Sequence, residues 1–258
     1  TDIADSAFTD NTVNNVGGAV YSAYNSIEIT NSTFENNSTS IGSGGALYLY
    51  ESASNIANSL FAGNEANGLG GAVYSGGGGE TKVVNSTFYG NFSNFGGGGI
   101  GQRTGELFLY SSTFTGNYAE GGGAVQVDGA SAHAYSANTL FAGNGDVGST
   151  EDVYTNEGGT FASLGGNLFK QSGMAGESDV EFADLDLIFE GTVTNAFTGM
   201  TSGALADNGG PTETVAILAA SPALSPPIFL ILMATQIRLK TCLSTPLAGR
   251  ACSAVSLI

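Results

Sequence analysis

The chain has 258 residues, enough for one large domain or two small ones with a sizeable core. Gly accounts for 40 residues without a three-residue period, which excludes collagen, and 41% apolar with 10% aromatic residues excludes a disordered polar chain. The net charge of −17 repels phosphate backbones and anionic membrane surfaces, so nucleic acid is not an expected partner.

In chain order, the first signal is Phe8 followed by Asn11. The Phe-x-x-Asn pattern returns at Phe34/Asn37, Phe61/Asn64, Phe88/Asn91, Phe114/Asn117 and Phe141/Asn144. The steps between Phe residues are 26, 27, 27, 26 and 27. Between them lies a glycine column, at Gly17-Gly18, Gly44-Gly45, Gly70-Gly71, Gly97-Gly98 and Gly122-Gly123. An aliphatic column, Ile29, Ile56, Val83 and Leu109, stands five residues before Phe and fails at Ser136. A polar column, Asn31, Asn58, Asn85, Ser111 and Asn138, stands three residues before Phe.

This period builds a solenoid. The apolar runs are short, rich in Val, Ile, Tyr, Phe and Thr, and bounded by Gly, Asn and Ser. About three such runs per repeat predict three strands per coil of a single-stranded parallel β-helix, right-handed by the usual chirality of parallel crossovers. Coils stack at about 4.8 Å, so equivalent residues lie above one another. The stacked Phe then fill the interior. The Asn column adopts left-handed turn conformations and bonds from coil to coil as an amide ladder. A propeller needs a longer period, and the leucine-rich spacing is absent.

Gly-Gly-Ala-Val/Leu followed by Asn-Ser-Thr-Phe-x-x-Asn resembles the repeats of chlamydial polymorphic outer-membrane proteins. The resemblance covers residues 1–144 and implies a bacterial surface protein with a pectin-lyase-like β-helix fold. Glu151–Tyr154 and Gly165–Leu168 look like degenerate continuations. A second resemblance lies in 184–224. The run from Gly203 through Asn208-Gly209-Gly210-Pro211 and Thr214–Leu218 to Ala223 is similar to the choice-of-anchor Q region of secreted bacterial β-helix proteins. That family implies export and attachment, and no activity. The expected organisation is regular coils over 1–160, degenerate coils and the anchor-like region over 161–224, and an aberrant tail over 225–258.

The tail begins Ser225-Pro226-Pro227-Ile228 and holds both cysteines and three of the six basic residues. It reads as a frameshift product, or else as a genuine C-terminal segment; its apolar run is too short to span a bilayer. The start at Thr1, without Met, points to a processed or truncated piece.

Because this scaffold also carries polysaccharide lyases and hydrolases, the charged residues need weighing. A lyase needs clustered acidic Ca²⁺ ligands and a basic residue; an inverting hydrolase needs carboxylates roughly 6.5–9.5 Å apart. The weak catalytic candidates are Asp128, Glu106, Glu80 and Arg103, and Arg103 reads first as a solvated charge. His133 reads as a surface residue, without a partner for a metal or a triad. Asn31 and Asn85 match glycosylation acceptors but coincide with repeat columns. The acidic segment 177–186 lacks calcium-loop spacing, so no metal site or cofactor is expected, Ca²⁺ being the one alternative.

Tyr21, Tyr48 and Tyr74 form a column of their own. If it points outward, it is a candidate stripe for sugar rings; if inward, it is core. The expected function is an extracellular or cell-surface, non-catalytic β-helix for adhesion, display or contact with polysaccharide or cell-surface glycan. The alternatives are a polysaccharide lyase or glycoside hydrolase, and a purely structural stalk.

Overall fold

A computed structural model describes residues 1–146, 151–170, 179–181, 185 and 188–218. The tail 225–258 and most of the acidic segment 177–186 lie outside the described residues. No α-helix occurs among the described residues.

Each coil contains four strands, one more than the apolar runs predict. In one coil these are Val20–Ala23, Ser26–Thr30, Thr33–Glu35 and Ser38–Thr39. The two-residue strand after each ladder Asn is too short to leave an apolar signature. Stacking the coils makes four parallel sheets, of seven, eight, six and six strands among the described residues. Here they are numbered from the strand that opens the chain. The first runs from Asp2–Ala4 to Thr160–Gly165 and the second from Ala7–Thr9 to Val180–Glu181. The third runs from Thr12–Val13 to Gly145–Asp146 and the fourth from Val20–Ala23 to Val153–Asn156.

The core follows from in-register stacking. Phe8, Phe34, Phe61, Phe88, Phe114, Phe141 and Phe169 occupy one register position on the second sheet. Their rings stack with centroids 4.6 to 5.3 Å apart, the strand spacing itself. The aliphatic column Ile29, Ile56, Val83 and Leu109 is fully buried beside them. Where that column fails, Ser136 donates from Oγ to Asn167 Oδ1 at 2.9 Å, and Asn167 Nδ2 returns a bond to the Ser136 carbonyl. A buried hydroxyl in an apolar column is thus satisfied.

The amide ladder is continuous. Each Oδ1 of Asn37, Asn64, Asn91, Asn117 and Asn144 accepts both the backbone N–H and the Nδ2 of the ladder Asn one coil earlier. Its own Nδ2 also donates to the Phe carbonyl of the preceding coil. The left-handed conformation, however, falls elsewhere. It belongs to the residue just before the ladder Asn (Asn36, Gly63, Gly90, Gly116, Gly143) and to the column Asn31, Asn58, Asn85, Ser111 and Asn138. An amide engaged on three sides holds its residue in the strand-to-strand bend, and its neighbour takes the positive φ.

A serine ladder parallels it. Oγ of Ser32, Ser59, Ser86 and Ser112 each accepts the N–H of the serine one coil earlier and donates to the carbonyl two residues upstream. The amide ladder ends on an aspartate, Asn144 Nδ2 donating to Asp152 Oδ1 at 2.9 Å; past the serines, Thr139 N donates to Asn167 Oδ1 at 3.1 Å and Asn167 N to Asp179 Oδ1 at 2.8 Å.

The paired glycines have separate duties. The first has φ between +61° and +71° in all five pairs. The second lies against the next coil: a Cβ on Gly71 would overlap the Gly98 carbonyl oxygen.

The chain then returns along the outside. The antiparallel pairs Thr192–Thr194 with Thr201–Gly203, and Leu205–Ala206 with Thr214–Val215, lie in this segment. Leu185, Ile188, Phe189, Val215 and Ile217 pack on the outward residues Leu140, Ala142 and Leu168 of the second sheet. Gly209 has φ +88°, and Asn208 Nδ2 donates to the Thr214 carbonyl, which makes the expected Asn-Gly-Gly-Pro turn.

Candidate functional site: the tyrosine face

Alternation in the fourth sheet is clearest in one strand. In Leu47–Tyr50 the leucines are buried and the tyrosines half-exposed, and the same parity turns Tyr21, Tyr48 and Tyr74 outward. The alternative of an inward column is thereby excluded. Tyr21 and Tyr48 stack at 5.5 Å, and Tyr48 and Tyr74 at 4.6 Å. The next two positions are Gly101 and Gln126, so the stack stops at three rings. Tyr21 is 58% exposed. Burial pushes the Tyr74 hydroxyl up to about 12, so it remains a neutral donor at ordinary pH.

A second outward position carries Tyr50, and Tyr24, just after the strand Val20–Ala23 of the preceding coil, meets it edge-on at 5.7 Å. These two and the pair Tyr21/Tyr48, with Asn15 and Val16, line a shallow groove of about 580 Å³. Tyr24 and Tyr50 escape the sequence reading because they do not share the repeat column. The available signal is parity, since Tyr50 lies two residues after Tyr48 on the same face.

Asp128 and Arg103 are brought together farther along the fourth sheet. An Arg103 nitrogen contacts the Asp128 carboxylate, Asn156 Nδ2 donates to the other oxygen at 3.2 Å, and Glu157 stands 3.6 Å from the guanidinium. Arg103 is therefore paired rather than simply solvated. Asp128 is only 5% exposed, its oxygens already engaged. Glu80 and Glu106 lie elsewhere, exposed and in register with each other at the start of two strands of the first sheet. His133 is the next residue in that row, its Nδ1 2.8 Å from Thr160 Oγ1. Asn31 and Asn85 are half-buried in an outer amide column, bonded to Asp5 and Asn58 respectively. Among the described residues, no three His, Cys, Asp or Glu side chains are grouped to hold a metal ion. No helix among them is long and apolar enough to cross a membrane.

The Gly-Gly corner, the Phe stack and the amide ladder together form a repeat unit with a known counterpart. Residues 5–23 and 31–50 match the Chlamydia polymorphic membrane protein repeat. The matched stretches run from Asp5 to Ala23 and from Asn31 to Tyr50, so they include Phe8, Phe34, the ladder residues Asn11 and Asn37, and the first two glycine corners. The Phe position of these stretches continues in register through Phe169 in the later coils. No curated protein and no solved structure matches the chain. The choice-of-anchor Q resemblance has no counterpart among these matches.

Proposed function

We propose that the protein is a non-catalytic β-solenoid displayed on a bacterial surface, where its tyrosine face contacts polysaccharide or cell-surface glycan. The carrying observation is the outward stack Tyr21–Tyr48–Tyr74 beside Tyr24 and Tyr50. Aromatic bodies with hydroxyl rims suit ligands that are apolar on one side and hydrogen-bonding at the edge. The PMP repeat supports the bacterial-surface part of this reading, and the anchor-like region 184–224 would serve attachment. The non-catalytic part draws support from Asp128, whose carboxylate is committed to Arg103 and Asn156 and lies on a different sheet from Glu80 and Glu106.

The test is binding of the whole chain to immobilised neutral polysaccharides, with antibody labelling of intact cells for display. Loss of binding in a Tyr21→Ala/Tyr48→Ala variant that melts normally supports the reading; undiminished binding refutes the role of this face. A reducing-sugar and unsaturated-product panel, with and without Ca²⁺, should stay at background. Product release that disappears on Asp128→Asn would overturn the non-catalytic assignment.

A further inference from the structure

On the other side of the solenoid, the returning segment makes a second groove, of about 480 Å³. Its floor is the glycine column after the Phe strands. A side chain on Gly90 would meet nothing within 4 Å, whereas the Asn36 side chain stands over Gly63 at one end and Ser202 over Gly116 at the other. The groove is thus open over the middle coil and closed at both ends. One wall is the ring pair Phe92 and Tyr118, nearly parallel with centroids 5.9 Å apart. The other is the hairpin tip, where Phe197 meets Phe92 edge-on at 5.9 Å.

Phe197 is 84% exposed. A phenylalanine so open to water normally collapses onto its surroundings. Here the tip holds it out: Asn195 Oδ1 accepts the N–H groups of Phe197 and Thr198 at 2.8 and 3.0 Å, and Gly199 N returns to the Asn195 carbonyl. These bonds fix the backbone of the tip from which the ring projects. Asn195, Thr198, Tyr118 and Glu65 are the polar residues that line the groove with it. Glu65 is the only charged residue among the described ones that line the groove.

We infer that this groove is a binding site for one residue of a neutral glycan, seated on the Phe197 face above Gly90. A pyranose offers an apolar C–H face to the ring and hydroxyls to both donors and acceptors at the rim. Glu65 can accept from a hydroxyl but repels a uronate, and the chain's charge of −17 opposes any polyanion. The site shares its ligand class with the tyrosine face but uses other residues, so the two stand or fall separately.

The experiment is calorimetric titration of the full chain with β-1,4-glucan, β-1,4-mannan and β-1,3-glucan hexasaccharides, with oligogalacturonate and tetramethylammonium as anionic and cationic comparators. Two variants probe the groove. Phe197→Ala removes the platform. Gly90→Asn fills the floor while keeping the left-handed backbone, which Asn36 already adopts at φ +53° in the same column. Saturable binding of a neutral hexasaccharide that persists in a Tyr21→Ala/Tyr48→Ala background, and is weakened about tenfold or more when either groove variant is added to that background, supports the site. Binding in that background that is indifferent to both groove variants, or no binding left in that background, overturns the site and leaves the tyrosine face standing. Binding of none of the neutral sugars, or preference for either charged comparator, also overturns it. Melting curves of Gly90→Asn separate a filled groove from a damaged fold.

Discussion

The stacked coils and the returning segment 185–218 solve the same burial problem by opposite means. In the coils nearly every important side chain has an equivalent 26 or 27 residues away, so one Asn, one Ser and one Phe position become continuous ladders. In the return each contact is made once: Ile188 and Phe189 against Leu140 and Leu168, Gly203 N to Thr115 Oγ1. Repetition makes the solenoid robust because neighbouring coils template each other. The return depends on one small apolar cluster. Its position follows from the outer face of the second sheet, where Leu140 and Leu168 stand on adjacent coils, whereas the earlier Leu60 of the same column lies between Thr33 and Thr87.

That contrast can be broken from either side. The largest effect belongs to Phe61→Ala, which opens a cavity between two stacked neighbours and should cost about 3–5 kcal/mol in urea melts. Next, Asn91→Leu leaves the Asn64 N–H, its Nδ2 and the Phe61 carbonyl without the Asn91 partner, at about 1–3 kcal/mol in all. Partial rescue by Asn91→Gln would place the effect in the amide rather than in volume.

Two glycines of the same solenoid should then separate. Gly71→Ala drives a methyl into the Gly98 and Phe92 carbonyls, while Gly90→Ala meets open space and carries only the left-handed backbone penalty of about 1–2 kcal/mol. A melting-temperature drop no larger for Gly71→Ala than for Gly90→Ala would contradict the close coil approach.

A smaller effect concerns pH. Burial pushes the Asp152 carboxyl up to about 7, against donors from Asn144 and the Lys170 amide that favour its ionised form. A carboxyl whose pKa is raised on folding binds its proton more tightly in the folded state. Its contribution is therefore full below the unfolded value near 3.8 and is lost as pH rises to about 7. Stability should fall across that window, and Asp152→Asn should flatten the slope; an unchanged slope in the variant would refute the assignment. Smallest in global terms is Ile188→Ala. It should raise hydrogen exchange in 188–218 while leaving the Phe61 and Phe88 strands protected, since the return packs on the coils without completing them.

The solenoid was legible in the sequence because its period places identical residues in identical environments. Phe34 or Asn64 can be assigned from the spacing alone, and the glycine pairs announce their corners. The repeat also shows that Tyr21, Tyr48 and Tyr74 share a column. It does not show which way they face, because that depends on strand parity relative to Leu47 and Leu49. The fourth strand and the serine ladder were hidden for a related reason: two-residue strands and small polar residues carry little hydrophobic signal.

Elsewhere only the tertiary structure decided. The pairing of Arg103 with Asp128 joins adjacent coils through side chains with no repeating counterpart. The groove beneath Phe197 joins coils centred on Gly63, Gly90 and Gly116 to a hairpin about a hundred residues away. A repeat specifies what its neighbours must be because the same contact recurs at every step. A contact made once leaves no period to read, and its geometry exists only when the chain has closed back on itself.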